Sequence, residues 1–528
     1  MGILPKFKDA GFGWYEFRMC LLIVYITMPT AFQIFQVLVS QFTPEFYCQQ
    51  QSLLGDTTQF DVNNSTNGML VTDDVCTIPK SNHLTTDNSS YIKDVPVCTS
   101  IVYTGNYTSA SIEFDMVCDN GWRRPLYSSL FMIGMTIGGI FGGGISDRFG
   151  RRIVVLVFTF WQFILALATS FVADATTYGI LFFFSGFGCL VSYQGVAVMG
   201  WETVPPSFRS FMFFIQGIAF ACSYLLFGLA TWIFQDWRWF LRAYGIAGVF
   251  YIPSFWLFDE TVPWLLVNKR HEEADLLRNK IAKINRNCNE HKTEDSDVKN
   301  VLLEMNEKQN LLKAFKSILK SPYMFIRVMI ISLSWFTVSL VYFAIALNTN
   351  GLKGDRILNI VYAALAELGS AILYFCFVRM RGHRNCYIGF MTLCMISLCI
   401  TLAVDQGVVA GFTMFSKLMV GTAFLTVYTY SGELFPTNIR QSLLGYFSGL
   451  SRVAASTAPY IIYAEKGNNT TPTIITVTLV SLSIVGYMFL PKTKGKKLPQ
   501  TVKEANSMRG GLLTLCKNEQ KVVAVEEP

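Results

Sequence analysis

Apolar runs of about 18 or more residues, the length a helix needs to cross a bilayer, recur twelve times in this chain. Six lie at about 19–39, 126–146, 153–172, 176–199, 211–233 and 240–258. Six more lie at about 328–347, 357–378, 386–404, 408–430, 442–464 and 473–490. A water-soluble core does not accommodate such a series. The 528 residues are 52% hydrophobic and only 15% charged, too few charges to cover a water-facing surface of that size. The pattern predicts an all-α membrane protein with two six-helix halves, 19–258 and 325–490. Segment 1–18 precedes them, a charged linker, 259–324, separates them, and a tail, 491–528, follows. The first run extends from near Arg18 to about Val39, longer than the apolar region of a cleavable signal peptide.

Charge placement predicts the orientation. Lys6, Lys8 and Arg18 precede the first run, Arg148, Arg151 and Arg152 follow the second, and Arg379, Arg381 and Arg384 follow the eighth. The linker and the tail are also rich in lysine. The positive-inside rule places all of these, with both termini, in the cytoplasm. The net charge of +7 thus reads as membrane topology, and no nucleic-acid partner is expected. The loop 42–122 is expected outside, because it carries glycosylation triplets at Asn63 or Asn64, at Asn88 and at Asn106. Asn468 and Asn469 fall on the same side. Cys48, Cys76, Cys98 and Cys118 share that loop and predict disulfides of an oxidising compartment, with three pairings open. Zinc is the rival reading, but the four show no close CxxC spacing. The location implied is the plasma membrane.

The two halves echo each other. Glu202, Pro205 and Arg209 follow the fourth run, and Glu433, Pro436 and Arg440 follow the tenth at the same offsets. Asp147 to Arg152 is matched more weakly by Arg379 to Arg384. Repeats of this kind, related by an axis along the membrane normal, build transporters whose substrate site lies between the halves at mid-depth. The linker shows helical apolar spacing over Glu272 to Asn285 and Val301 to Lys320, which predicts short amphipathic helices on the cytoplasmic face. It holds no nucleophile, metal-ligand or phosphate-loop constellation, so neither an enzyme nor a cofactor is expected.

The run Gly-Gly-Ile-Ser-Asp-Arg-Phe-Gly-Arg-Arg, Gly143 to Arg152, joins close-packing glycines to an acid and bases at a helix end. It resembles the cytoplasmic signature of the major facilitator superfamily, as does Glu433-Leu434-Phe435-Pro436-Thr437 with Arg440. The resemblance implies an inner gate built from Asp147, Arg148, Arg151, Arg152, Glu202, Arg209, Glu433 and Arg440. It narrows to the organic cation, organic anion and carnitine transporter family. The loop ending Asp115-Met116-Val117-Cys118-Asp119, the run Asp259 to Leu266 followed by Glu272-Glu273-Ala274, Trp335-Phe336 with Tyr342, and Pro491 to Pro499 carry this likeness. The chain departs from the family pattern at Lys492, where an acid is usual, at His383, and in having four loop cysteines where many relatives have six.

An ionisable side chain at mid-membrane costs about 2.5–3.5 kcal/mol on insertion scales and is a functional candidate by default. Arg452, Glu367 and Lys417 qualify. Arg452 lies on a stripe of small residues with Gly445, Ser448, Ser456 and Pro459, and its planar fork suits a carboxylate or sulfate. The resemblance implies an arginine here in anion and carnitine carriers and an acid in cation carriers. It also implies that Glu367 is an acidic position shared by cation and carnitine carriers. Lys417 shares a helix face with Phe424 and Tyr428, and both ligation and a structural role are open to it. Trp335 and Tyr342 lie seven apart on one face and match cage positions of the family; Tyr193 and Phe424 match similar positions. Such rings hold an ammonium by cation–π attraction, stack on an aromatic substrate, or simply pack the core.

The expected function is alternating-access transport of small organic ions, above all organic anions or carnitine-like zwitterions. An organic-cation carrier is the alternative, and a non-transporting receptor or scaffold with the same fold is the alternative of another class. Expected partners are the organic ion, the lipid bilayer and a coupling ion, whether proton, sodium or counter-anion.

Overall fold

Helices form almost run for run where hydropathy predicts them. The computed structural model describes residues 13–44, 46–50, 98–103, 107–204, 209–285, 322–352, 354–404, 406–435, 437–463 and 470–493. The first set of long helices is α1 (Trp14–Phe35), α2 (Arg123–Phe149), α3 (Arg151–Thr169), α4 (Ala175–Thr203), α5 (Arg209–Ile233) and α6 (Trp237–Ala247). The second is α7 (Pro322–Leu347), α8 (Arg356–Arg381), α9 (His383–Thr401), α10 (Gln406–Leu434), α11 (Thr437–Tyr463) and α12 (Thr470–Met488). Among the described residues ten spans, those of α1 to α10, are long and apolar enough to cross a membrane. The remaining two complete the expected order: α11 is diluted by serines, glycines and Arg452, and the apolar part of α12, Pro472–Met488, is shorter than the rest.

Local chemistry explains the breaks. Helix α6 runs only from its Asp236 cap, whose carboxylate accepts from the Arg238 and Trp239 N–H groups, to Ala247. A 3-10 turn, Gly248–Tyr251, and Pro253 then interrupt the apolar run before the short helix Ser254–Leu257. Helix α3 starts at once after Gly150, whose φ of +104° lets the chain reverse out of α2 without the strain a side chain would bring. Gly382 does the same between α8 and α9 at φ +79°. Within the first set, α2 and α4 pack at backbone distance: Gly134 and Gly138 sit against the carbonyls of Phe183 and Phe187, and Gly186 sits against that of Phe131. That glycine spacing permits close helix packing where lipid leaves no hydrophobic drive for association.

The surface is inverted relative to a soluble protein. Ile140, Phe171, Phe250, Trp256 and Phe375 all stand more than half exposed on the outside of the bundle. A belt of that extent requires a lipid neighbour. The two sets meet chiefly through α2 with α11 and α5 with α8. Ser129 donates to the Ser456 carbonyl at 2.7 Å, and Phe214 packs on Phe375. At the end that carries the loop, Arg356 donates to the Leu38 carbonyl at 2.6 Å and lies over the Phe42 ring at 4.0 Å. The antiparallel pair β1 (Phe46–Gln50) and β2 (Cys98–Tyr103) closes that loop, with Cys48 opposite Ile101 and Cys98 opposite Gln50. At the opposite end a helix covers His271–Asn285. The expected helix over Val301 to Lys320, Cys76, and the acceptors Asn63, Asn64, Asn88, Asn106, Asn468 and Asn469 lie outside the described residues.

Candidate functional site

A cavity of about 190 Å³ lies between the two sets of helices. Its wall from the first set is neutral: Thr30 and Ile34 on α1, Met135 on α2, Tyr193 and Gln194 on α4, Gln216 and Phe220 on α5. The opposite wall carries Trp335 and Tyr342 of α7, Glu367 and Ser370 of α8, Phe424 and Tyr428 of α10, and Ser448, Ser451 and Arg452 of α11. The structure therefore gathers Arg452, Glu367, Trp335, Tyr342, Phe424, Tyr428 and Tyr193, all singled out in the sequence, around one space.

The rings form one connected surface. Trp335 meets Phe424 edge-on at 5.8 Å and Tyr428 at 5.4 Å, and Tyr342 meets Phe424 at 5.9 Å. Trp335 is fixed by donating its indole N–H to Ser431 Oγ at 2.9 Å. Tyr342 donates its hydroxyl to Glu367 Oε2, also at 2.9 Å, which sets the carboxylate against the ring wall. Arg452 is placed differently. Among the described residues it makes no hydrogen bond or ion pair, and its Nε is buried without a partner. It stands within electrostatic range of Tyr193, Tyr342, Tyr428 and Cys189. A guanidinium so placed has its donor fork unused, a costly arrangement unless a ligand completes it.

Lys417 does not line the cavity. It is buried, and its Nζ, without a hydrogen-bond partner among the described residues, lies 4.4 Å from the centre of the Tyr224 ring and 5.7 Å from that of Phe35. Those two rings stack on each other at 3.6 Å and belong to α5 and α1. Glu367 and Lys417 interact electrostatically across α8 and α10. No ion pair joins Glu367 to Arg452 among the described residues.

At the end of the bundle away from the loop, the repeated charges assemble into two clusters. In the first, Arg151 Nη1 meets Asp147 Oδ1 at 2.6 Å and its Nη2 meets Glu202 Oε1 at 3.2 Å. Thr261 donates its hydroxyl to Glu202 at 2.6 Å. Glu260 accepts from the backbone N–H groups of Arg151 and Arg152, each at 3.1 Å, and so caps α3. Burial raises the Glu260 carboxyl above its ordinary value, and the N–H donors of Thr261, Arg152 and Arg151 oppose that rise. In the second cluster His383 Nδ1 meets Glu433 Oε2 at 3.0 Å, and Thr493 donates to the same oxygen at 2.7 Å. Arg384 turns instead to the carbonyls of Tyr487 and Met488. Arg148 lies over Phe149. The side chains of Arg209 and Arg440 lie outside the described residues.

Sequence reasoning missed Glu260, Thr261, Thr493, Gln194 and Gln216. For the threonines a signal existed: Thr261 lies 59 residues after Glu202 and Thr493 lies 60 after Glu433. The internal repeat therefore extends past the last helix of each half. Gln194 and Gln216 carry no such mark, because a neutral amide on an apolar helix does not stand out.

An apolar-surfaced helical bundle in two repeated halves around a cavity with a few buried polar and charged groups is the form of a membrane transporter. The model of the "sugar (and other) transporter" family matches residues 82–504. Mouse solute carrier family 22 member 4 is 29% identical over 434 residues, 80% of this chain and 75% of its own length. Human organic cation/carnitine transporter 2 is 28% identical over 407 residues, 75% of this chain and 72% of its own. The partially occluded, inward-open xylose transporter XylE from E. coli aligns over 92% of this chain and 100% of its own, with a TM-score of 0.62 and 15% identity, and so attests the fold alone. The chain belongs to the organic cation, organic anion and carnitine transporter family of the major facilitator superfamily. It is a multi-pass transporter of small molecules and not an enzyme.

Proposed function

We propose that this protein carries a small organic anion or a carnitine-like zwitterion by alternating access, with Arg452 as the anchor for the negative group. The observation that carries this reading is the pattern of partners among the three mid-membrane charges. Tyr342 donates to Glu367, which has Lys417 within electrostatic range, while Lys417 Nζ and Arg452 Nε are both buried without a hydrogen-bond partner among the described residues. Lys417 rests on rings away from the cavity, and Arg452 is the cation that lines it. With ordinary charges the set sums to one excess positive charge, which a buried site offsets by taking up an anion. The ring wall of Trp335, Tyr342, Phe424 and Tyr428 beside Glu367 suits an ammonium at the other end of the same substrate.

A second reading, an organic-cation carrier, rests on the same wall and on Glu367. It agrees with the words "organic cation/carnitine" in the name of the human relative. Uptake into cells expressing the full chain separates the two, using benzoate, L-carnitine and tetraethylammonium as probes. The proposal expects accumulation of a probe bearing a carboxylate and its loss in Arg452→Ala. Glu367→Gln is expected to impair the zwitterion more than the simple anion. Accumulation of tetraethylammonium alone, unchanged in Arg452→Ala, would overturn it in favour of the cation reading.

The rest of the design follows from charge placement. Basic residues around α2–α3 and α8–α9, with the glycosylation triplets opposite, support a plasma-membrane protein with both termini and the linker 259–324 in the cytoplasm. In that orientation the two charge clusters form the inner gate. The loop then faces outside with its glycosylation triplets and its four cysteines.

A further inference from the structure

We infer that His383 is a gating residue that makes one half of the inner gate loosen as pH rises, while the other half, tied by Arg151, does not. The inference extends the gate proposed above and concerns a position for which the first half of the repeat uses arginine. The correspondence is geometric. Gly150 and Gly382 make the same positive-φ reversal, and Arg151 and His383 are the next residues on. Each reaches the acid at the end of the following odd-to-even helix pair, Glu202 on α4 and Glu433 on α10. Thr261 and Thr493 donate to those two acids from the segments after the sixth and twelfth helices.

Arg151 keeps its charge at any physiological pH, so its tie to Asp147 and Glu202 does not wait on a proton of its own. Histidine changes charge between pH 5 and 8. When His383 carries a proton, a full ion pair ties the first turn of α9 to the last turn of α10. When it is neutral, one hydrogen bond at most is left in its place. No carboxylate takes the place of Asp147 in α8, since the residue three before Gly382 is Arg379.

The groups facing this pair are mostly basic or uncharged. Helix α10 presents Glu433 and Tyr430, whose ring stacks near the imidazole at 6.4 Å and whose hydroxyl donates to the Pro491 carbonyl. Helix α9 adds Arg384, bound to the Tyr487 and Met488 carbonyls, and α12 adds Tyr487. Helix α7 brings Arg327 within range of Tyr430, α8 brings Tyr374 within range of Glu433 and ends in Arg381, and exposed Lys492 precedes Thr493. Lys492 stands where the first half has Glu260, so at that position the acid that caps α3 has no counterpart. Glu433 is therefore the acid that answers His383 among these groups, and the proton on His383 governs the tie.

Hydrogen exchange of the full-length protein in lipid nanodiscs at pH 5.5 and pH 8, corrected for intrinsic rates, tests this without any substrate. Its failure is thus distinct from failure of the transport reading. The backbone over 379–386 is expected to exchange about fivefold faster at pH 8, the size of effect a half-buried ion pair gives. The turn 147–152 is expected to show no such response. His383→Arg should abolish the response, and His383→Gln should exchange fast at both pH values. A wild-type turn that ignores pH, or one that still responds in His383→Arg, would overturn the inference.

Discussion

The two halves of this molecule divide their charges in opposite ways. The first half spends them at the gate, where Arg151 holds Asp147 and Glu202 while Glu260 caps α3, and it offers the cavity only neutral polar groups and rings. The second half places Glu367 and Arg452 in the cavity, backs them with Lys417, and closes its gate cluster with a histidine. Duplication alone would have kept the halves alike. Under the proposed function, their divergence gives recognition of substrate charge to the second half and the more durable closure to the first.

The largest expected effect that sharpens this contrast is at Arg151. Breaking a buried ion pair costs about 3–5 kcal/mol, and half-exposed Asp147 reduces that to roughly 2–3 kcal/mol here. Arg151→Ala should therefore lower thermal stability of the purified protein strongly and remove most uptake at matched surface expression. His383→Ala in the same assays should cost on the order of 1 kcal/mol at pH 7. Equal losses would break the comparison. A smaller effect is expected at the cap: Glu260→Gln should cost about 1 kcal/mol, while Lys492→Gln should stay within about 0.5 kcal/mol. Similarly small, and of opposite sign to the losses, is the restoring change Lys492→Glu, which sets an acid near the start of α9 and should stabilise by about 0.3–1 kcal/mol. A slight rise in melting temperature is the readout, and a fall would mean the two post-helix segments are not equivalent.

Much of this was legible in the sequence because membrane insertion makes hydropathy nearly decisive. Each long apolar run became a helix, and three costly charges marked the level of the cavity. Seven of the eight residues named for substrate binding line the cavity. Lys417 does not, since helical spacing puts it on a face with Phe424 and Tyr428 but cannot tell how far α10 is rotated toward α1 and α5. Its ammonium ends over Tyr224 and Phe35 instead. The break in α6 was missed because Gly248 and Pro253 sit inside an otherwise continuous apolar run. Glu260 was read only as part of a family run, because capping of α3 from 108 residues away is a tertiary fact.

The central claim is that the charge at position 452 selects the substrate. Its most direct test is the ratio of L-carnitine to tetraethylammonium uptake in cells expressing the wild type or Arg452→Asp at equal surface level. The account predicts a wild-type ratio well above one that falls below one in Arg452→Asp, because the anion anchor becomes a cation site while the ring wall remains. A ratio unchanged by the substitution, with both proteins active, would contradict it.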